Sequence, residues 1–236
     1  MRKKGVLYLI PALIGDSATD FALPPSTQAV VNDIRFYAVE NLRSARRFLS
    51  KLKISTPIND LEFAELNKRT PTNEIEEIVA QLTNGNNVGV ISEAGCPGVA
   101  DPGAEIVSLA HEKGIKIVPM VGPSSILLAL MASGMNGQNF VFHGYLPKEK
   151  HKRIKSIVEV EKQAFDKNQT QIFMEAPYRN MPLLEDVIKH CKESTQLCIA
   201  TSITSSDEKI VTRSIAHWRR NIPNINKKPT IFLLSS

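Results

Sequence analysis

The chain has 236 residues, of which 42% are hydrophobic and 22% are charged. This composition is typical of a globular protein and excludes long disordered, collagen-like and coiled-coil architectures. No stretch approaches the roughly 20 consecutive apolar residues that a membrane-spanning helix needs, so no membrane partner is expected. The net charge of +5 permits an anionic partner such as RNA but does not require one.

The cysteines and histidines indicate neither disulfides nor metal. Cys96, Cys191 and Cys198 are odd in number and include no CxxC pair. This usage argues against a disulfide framework and favours a reducing, cytoplasmic environment. The five histidines lack the spacing of zinc ligands, so no metal site is expected.

Strands and helices are predicted to alternate through the first half of the chain. The apolar run Val6–Ile10 follows a basic start, as in a signal peptide, but it is short and is broken by Pro11, which favours a buried strand. Asp101 and Pro102 suit the N-cap and first turn of a helix. The other predicted strands are 34–39, 88–92 and 115–119, and the other helices are 42–52, a segment from Asn73 to about 84, and 126–131.

The second half shows the same alternation, with consecutive strands near its end. The polar segment 147–153 is the best candidate for a linker. Strands are predicted at 140–142, 171–174, 196–201, 209–213 and 230–234, and helices near 151–166, 180–192 and Trp218. The pattern predicts two α/β domains, 1–120 with a mostly parallel sheet and 121–236 with a mixed sheet.

Three loops follow predicted strands, at the carboxyl ends where open α/β sheets bind ligands. The first, residues 11–16, has neither a GxGxxG nor a Walker A pattern, and an ordinary turn is its favoured interpretation. The second, residues 92–103, packs three glycines and two prolines into nine residues, which favours a stiff binding loop. In the third, residues 121–125, two serines begin a helix, and capping and binding are equally plausible.

The order of these segments resembles the tetrapyrrole methylase family of S-adenosylmethionine-dependent methyltransferases, and in particular its branch that acts on ribosomal RNA. The resemblance rests on VLYLIPALIGD, YAVENLRSARRFLSKL, VGVISEAGCPGVADPG, VPMVGPSSILLALMASGMNGQNFVFHGYLPK and IFMEAPYRNMPLLEDV. It implies a cofactor cleft between the two domains, a homodimer, and methylation of a ribose 2′-hydroxyl in small-subunit ribosomal RNA. The chain departs from the branch at Asn41 and Glu93, where an Asp is usual, at Ser205, where a Lys is usual, and at Lys228-Pro229, where Gly-Glu is usual.

The resemblance also implies which residues contact S-adenosylmethionine, many of them through backbone atoms. Carried over position by position, these residues are Pro11, Ile14, Cys96, Val99, Ser124, Ser125, Met174, Ala200, Pro229 and Thr230.

A ribose hydroxyl attacks well only when a group accepts its proton, so a general base is expected. The candidates are Glu40, Glu93, Asp101 and Glu175. Each has a purely structural alternative: Asp101 as an N-cap, Glu175 as a partner of Arg179, and the other two as solvated loop acids.

Basic residues would supply the RNA contacts, because cationic patches neutralise phosphates. Tyr178 and Arg179 are candidates to orient the acceptor. The remaining candidates are Arg43, Arg46, Arg47 and Lys51 on one predicted helix, and Lys150 and Arg153 in a second cluster. The alternative for both clusters is an ordinary solvated helix face.

Two other functions stay open at the level of sequence. The first is a methyltransferase of the same fold that acts on a small molecule such as a tetrapyrrole; the basic runs and the low aromatic content of 6% disfavour it. The second is a catalytically weak protein that binds the cofactor or the ribosome without turnover, which the departures at Asn41, Ser205 and Pro229 suggest.

Overall fold

The computed structural model describes residues 3–236, and Met1 and Arg2 lie outside the described residues. The chain forms two compact units, Met1–Ser124 and Ser125–Ser236. The domains 1–120 and 121–236 stay a prediction, as does the cofactor cleft.

The N-terminal unit alternates strands with helices. Its strands are β1 (Val6–Ile10), β2 (Phe36–Val39), β3 (Glu62–Glu65), β4 (Val88–Ile91) and β5 (Lys116–Pro119), and its helices are α1 (Thr19–Ala22), α2 (Pro25–Asn32), α3 (Leu42–Lys51), α4 (Thr72–Thr83) and α5 (Ala104–Glu112), with a 3-10 turn at Ile58–Asp60. Within residues 3–124 the five strands form one sheet in the order β3-β2-β4-β1-β5. Every neighbouring pair is parallel.

Side chains alternate along each strand, so the sheet has two faces, and helices cover both of them. Leu7 of β1 and Ala38 of β2 belong to one apolar cluster with α4 and α5. Ile10 and Tyr37, from the same two strands, belong to a second cluster with α2 and α3. The run Val6–Ile10 is therefore an inner strand, paired with β4 and β5, which confirms the strand interpretation.

The C-terminal unit carries a mixed sheet. Its helices are α6 (Ser125–Ser133), α7 (Lys150–Lys167), α8 (Asn180–His190) and α9 (Ile215–Arg220), and its strands are β6 (Phe140–Tyr145), β7 (Thr170–Met174), β8 (Gln196–Thr201), β9 (Lys209–Ser214) and β10 (Thr230–Ser235), with a 3-10 turn at Pro177–Arg179. The strand order is β6-β7-β10-β8-β9. β6 and β7 are parallel, and the other pairs are antiparallel. The predicted fold class, one parallel and one mixed α/β sheet, is confirmed.

The helices α1 and α2 were not predicted, and two further parts of the prediction fail for physical reasons. The strand β3 was not predicted, because it lies at an edge of the sheet and begins and ends with Glu62 and Glu65, which are exposed. The prediction of a linker at 147–153 is wrong, because α7 begins at Lys150 and lies within the C-terminal unit.

Among residues 3–236, no helix combines the length and apolarity needed to cross a bilayer.

A buried ion pair anchors α7 to α8. Arg153 donates to Oδ2 of Asp186 from Nε at 2.8 Å and from Nη2 at 2.6 Å, and the two side chains are only 8% and 7% exposed. A third bond, from Nη1 to the carbonyl of Lys148, fixes the start of the helix. This side chain holds the unit together and is not free on the surface.

Removing one partner of this pair should destabilise the protein strongly, because the other charge would stay buried without compensation. We expect Arg153→Ala to lower the free energy of unfolding by about 3–5 kcal/mol, measured by urea denaturation. Lys152→Ala on the same helix breaks the exposed pair with Glu149 and should cost less than about 1 kcal/mol. Equal effects of the two substitutions would contradict this assignment.

Candidate functional site

The first two candidate loops of the N-terminal unit are joined by their backbones. The amide of Ala12 donates to the carbonyl of Gly95 at 2.9 Å, and the amide of Gly95 donates back to Ala12 at 3.1 Å. This reciprocal pair places Pro11 and Ile14, both buried, against the glycine-rich loop 92–103.

The third loop packs onto the other two. A Cβ at Gly122 would lie 2.4 Å from Cβ of Pro11, so only glycine allows this approach. The thiol of Cys96 donates to the carbonyl of Pro123 at 3.5 Å. The unit thus brings together three loops that lie far apart in the sequence. Gly95 and Gly122 belong to the predicted loops but were not among the predicted contact residues.

The helix after the glycine-rich loop has its N-cap two residues later than predicted. The prediction that Asp101 is the N-cap of α5 is wrong, because the helix begins at Ala104 and Gly103 occupies the N-cap position. Gly103 has a φ of 138°, a conformation that side-chain-bearing residues rarely adopt. The carboxylate of Asp101 is therefore not used for capping. Val99, in the same loop, is 49% exposed.

Three of the four base candidates lie close together in this unit. The backbone amide of Glu93 donates to Oε2 of Glu40 at 3.4 Å, and the hydroxyl of Ser44 donates to Oε1 of Glu93 at 3.2 Å. Burial raises the pKa of Asp101 from the ordinary 3.8 to about 6, with a further increase from the charge of Glu40 and an opposing hydrogen bond from Ser92. Asp101 therefore titrates closer to neutral pH than an exposed carboxylate does.

The helix α3 meets the glycine-rich loop at its first turn. Oδ1 of Asn41 caps the helix by accepting from the amide of Ser44 at 3.0 Å, and the same Ser44 donates to Glu93. The predicted RNA-binding residues on this helix, all of them exposed, are Arg43, Arg46, Arg47 and Lys51. The opposite face carries the buried Ala45, Phe48 and Leu49.

In the C-terminal unit, the predicted cofactor residues lie at the ends of three adjacent strands. Ile231 of β10 pairs with Met174 of β7 on one side and Ala200 of β8 on the other. The carbonyl of Pro229 accepts from the amide of Ser202 at 2.9 Å. Thr230 is buried beside them, whereas Ser125 begins α6.

Asn180 organises this strand end and was not predicted. Its Nδ2 donates to the carbonyl of Lys228 at 2.5 Å and to Oγ1 of Thr230 at 3.1 Å. The side chain is fully buried, yet Oδ1 accepts no hydrogen bond. A buried acceptor without a partner is costly in a fold and is expected mainly where a ligand or water supplies a donor.

Glu175 lies in this unit, away in the chain from the other three base candidates, and it is engaged by Arg179. Its Oε1 accepts from Nη2 of Arg179 at 2.5 Å and from the amide of Ala176 at 2.7 Å. The glutamate side chain is 1% exposed and that of Arg179 is 23% exposed. Glu175 is therefore a partner of Arg179, and its role as a base stays a prediction.

Of the two predicted RNA-binding residues in the second basic cluster, only one is exposed. Lys150 is exposed at the start of α7, but Arg153 is buried against Asp186 and cannot reach a phosphate.

In the part of the chain that the structure describes, no group of three or more His, Cys, Asp or Glu side chains is arranged to hold a metal ion.

The sequence model of the family "Tetrapyrrole (Corrin/Porphyrin) Methylases" matches residues 28–217. The chain belongs to this family. As a tetrapyrrole methylase family member it is an S-adenosylmethionine-dependent methyltransferase, as the resemblance implied.

Relatives and solved structures agree with the family assignment. The chain is 28% identical to "Ribosomal RNA small subunit methyltransferase I" of Synechocystis sp., over 93% of this chain and 76% of the relative. It is 30% identical to the protein of the same name in Bacillus subtilis, over 90% of this chain and 68% of the relative. The crystal structure of the methyltransferase CobJ shares the fold, with a TM-score of 0.65 at 17% identity, over 99% of this chain and 94% of that one.

The raised pKa of Asp101 predicts a pH-dependent effect of removing its charge. Because the folded-state pKa lies above the ordinary 3.8, the stability that Asp101 contributes is present at low pH and is lost as pH rises through about 6. Asp101→Asn cannot ionise, so it should stabilise the protein more at about pH 7.5 than at about pH 4.5. Urea denaturation of both proteins at both pH values checks this. An effect of equal size at the two pH values would rule out the raised pKa.

Proposed function

We propose that this methyltransferase transfers the methyl group to a ribose 2′-hydroxyl in small-subunit ribosomal RNA. The observation that carries the proposal is the position of the basic helix α3. Its exposed arginines form a face without acids, and its first turn is bonded through Ser44 to Glu93 of the glycine-rich loop. An RNA phosphate backbone bound along α3 would lead to that loop. The two relatives named as ribosomal RNA methyltransferases support the same acceptor.

The residues of the chain fit the cofactor. In the N-terminal unit, the contacts that we propose are Pro11, Ile14, Cys96, Val99 and Ser124. The Ala12–Gly95 pair joins the first two loops, and Gly122 and Pro123 pack the loop of Ser124 onto them. In the C-terminal unit they are Ser125, Met174, Ala200, Pro229 and Thr230. The unpartnered Oδ1 of Asn180, beside Thr230, suits a donor such as an amine. S-adenosylmethionine would supply a methyl group on a positively charged sulfur, which is a good leaving group.

The task left to the protein is to align the acceptor and remove its proton. Methyl transfer is an in-line displacement, in which the bond from the ribose oxygen to the methyl carbon forms as the bond to sulfur breaks. We propose that Asp101 accepts the proton of the ribose 2′-hydroxyl. Its carboxylate is partly buried, lies in the same loop as Cys96 and Val99, and has a pKa raised by burial to about 6. Glu175, by contrast, is already bonded to Arg179.

The first experiment identifies the acceptor. The protein is incubated with isotope-labelled S-adenosylmethionine and small ribosomal subunits from a strain that lacks it, and the digested RNA is analysed by mass spectrometry. We expect a new methyl group on a ribose 2′-hydroxyl. Cofactor binding without any methyl on free or assembled RNA would overturn the ribosomal RNA proposal and favour a small-molecule acceptor or a protein that only binds.

The same assay tests the base. Asp101→Asn should lower the rate of methyl transfer by about 100-fold or more while the affinity for S-adenosylmethionine stays unchanged, because only the proton acceptor is lost. Asp60→Asn, in an exposed turn, is the matched control. A rate equal to that of the control would return the role of base to Glu40 or Glu93.

The basic helix predicts a salt-dependent contribution to RNA binding. Arg43→Ala with Arg47→Ala should weaken binding to ribosomal RNA and reduce the slope of log affinity against log salt by about 1 per lost phosphate contact. The control is Lys162→Ala with Lys167→Ala, two exposed lysines of α7. Filter binding across a salt series measures both. Equal losses in the two double variants would mean that α3 acts only through net charge.

The proposal has two further parts. A homodimer is implied by the resemblance, and the exposed Leu127 and Met131, one turn apart on α6, offer an apolar contact for it. Action in the cytoplasm is favoured by the cysteines, since Cys96, Cys191 and Cys198 are all free within the described residues.

A further inference from the structure

Two exposed tyrosines flank Arg179 in the C-terminal unit. Tyr178 is 66% exposed and Tyr145 is 54% exposed, although tyrosine rings are usually at least half buried in a folded protein. Tyr145 pairs with Met174 across β6 and β7, and Tyr178 follows Met174 by four residues. Lys148 and Lys150, both exposed, follow Tyr145 by three and five residues. We call these five residues, Tyr145, Lys148, Lys150, Tyr178 and Arg179, the tyrosine surface.

A β-bulge sets the direction of Tyr145. The register between β6 and β7 shifts between Phe142 and Tyr145, and Gly144 within the shift has a φ of 66°. Bulges of this kind re-aim a side chain at the end of a strand and are frequent beside functional sites. An exposed aromatic residue turned by a bulge is not explained by packing of the core.

Arg179 is held in a fixed position between its neighbours. Its Nη2 donates to Glu175, its Nη1 donates to Oη of Tyr178 at 3.1 Å, and its Cζ lies 5.1 Å from the centre of the Tyr178 ring. The hydrogen bond to Glu175 raises the pKa of Arg179, and the phenols of Tyr178 and Tyr145 add to the increase. The guanidinium therefore fixes the Tyr178 ring at the surface.

This arrangement is maintained at a cost to stability. Oε2 of Glu175 and Nε of Arg179 are both buried, and neither has a hydrogen-bond partner in the structure. A buried polar atom without a hydrogen-bond partner destabilises a folded protein. Retention of two such atoms behind an exposed tyrosine indicates that the pair serves the surface in front of it.

We propose that the tyrosine surface binds an unpaired RNA nucleotide, whose base stacks on Tyr178 and whose phosphates contact Lys148 and Lys150. The chemistry is specific, since aromatic rings beside cations bind bases that are splayed out of a helix, whereas bases inside a duplex cannot reach them. Glu175 is then a positioning residue that acts through Arg179. This inference rests on the proposed function and adds that the recognised RNA contains an unpaired nucleotide.

The test compares two forms of one RNA. Binding of a short single-stranded RNA and of the same strand in a blunt duplex is measured by fluorescence anisotropy. The wild-type protein should bind the single strand more tightly. Tyr178→Leu should weaken binding to the single strand by about 10-fold and binding to the duplex little, while Tyr178→Phe should bind like the wild type.

Phe140→Leu is the matched control, because Phe140 is an exposed aromatic residue, 40% exposed, at the other end of β6. Equal affinities of Tyr178→Leu and Phe140→Leu for the single strand would overturn the inference, as would equal weakening for single strand and duplex. Methyl transfer to small subunits by the wild type is measured in parallel. Transfer without a Tyr178 effect refutes the tyrosine surface alone, whereas absence of transfer to any RNA refutes the proposed function.

The positioning role of Glu175 has its own readout. Glu175→Gln should raise KM for RNA by several-fold with kcat nearly unchanged. The RNA nucleobase would stack less well on Tyr178, whereas the methyl-transfer step would be unaffected. Glu175→Asp, which keeps the charge, should restore part of the loss. A fall in kcat with no change in KM would mean that Glu175 takes part in the reaction and would overturn the positioning role.

Discussion

The two backbone hydrogen bonds between Ala12 and Gly95 are the constraint on which the N-terminal half of the site depends. They hold the first loop against the glycine-rich loop, and Gly122 packs against Pro11 to add the third. Because these bonds join main-chain atoms, they do not depend on which side chains the loops carry. The chain can therefore replace the usual Asp with Glu93 and keep the geometry of the loops.

Much of the fold follows from local pattern. The apolar strands, the basic amphipathic α3 and the position of the loops after strands are all readable, because each depends on residues close together in the chain. The segment 147–153 shows the limit. A run of basic residues with one glutamate is typical of a solvated linker, and nothing local reveals that Arg153 has a partner, Asp186, 33 residues away.

The site shows the same division between local and distant information. The family motifs single out the loops, but they leave four carboxylates as equal candidates for the base. What distinguishes Asp101 is the partial burial of its carboxyl group and the nearby charge of Glu40, which come from contacts between segments far apart in the chain. Asn180 was missed for the same reason, because its partners Lys228 and Thr230 lie 48 and 50 residues away.

The strand order of the N-terminal unit also governs how the chain can fold as it is synthesised. β1 is made first, but its partners are β4 and β5, and Leu7 pairs with Val88. During translation the apolar segment Val6–Ile10 has no neighbouring strand until residue 88 has left the ribosome. Parallel sheets with such distant pairing fold slowly and leave strand edges open to aggregation. The apolar strand β1 is therefore most exposed to misplaced pairing before its partner β4 emerges.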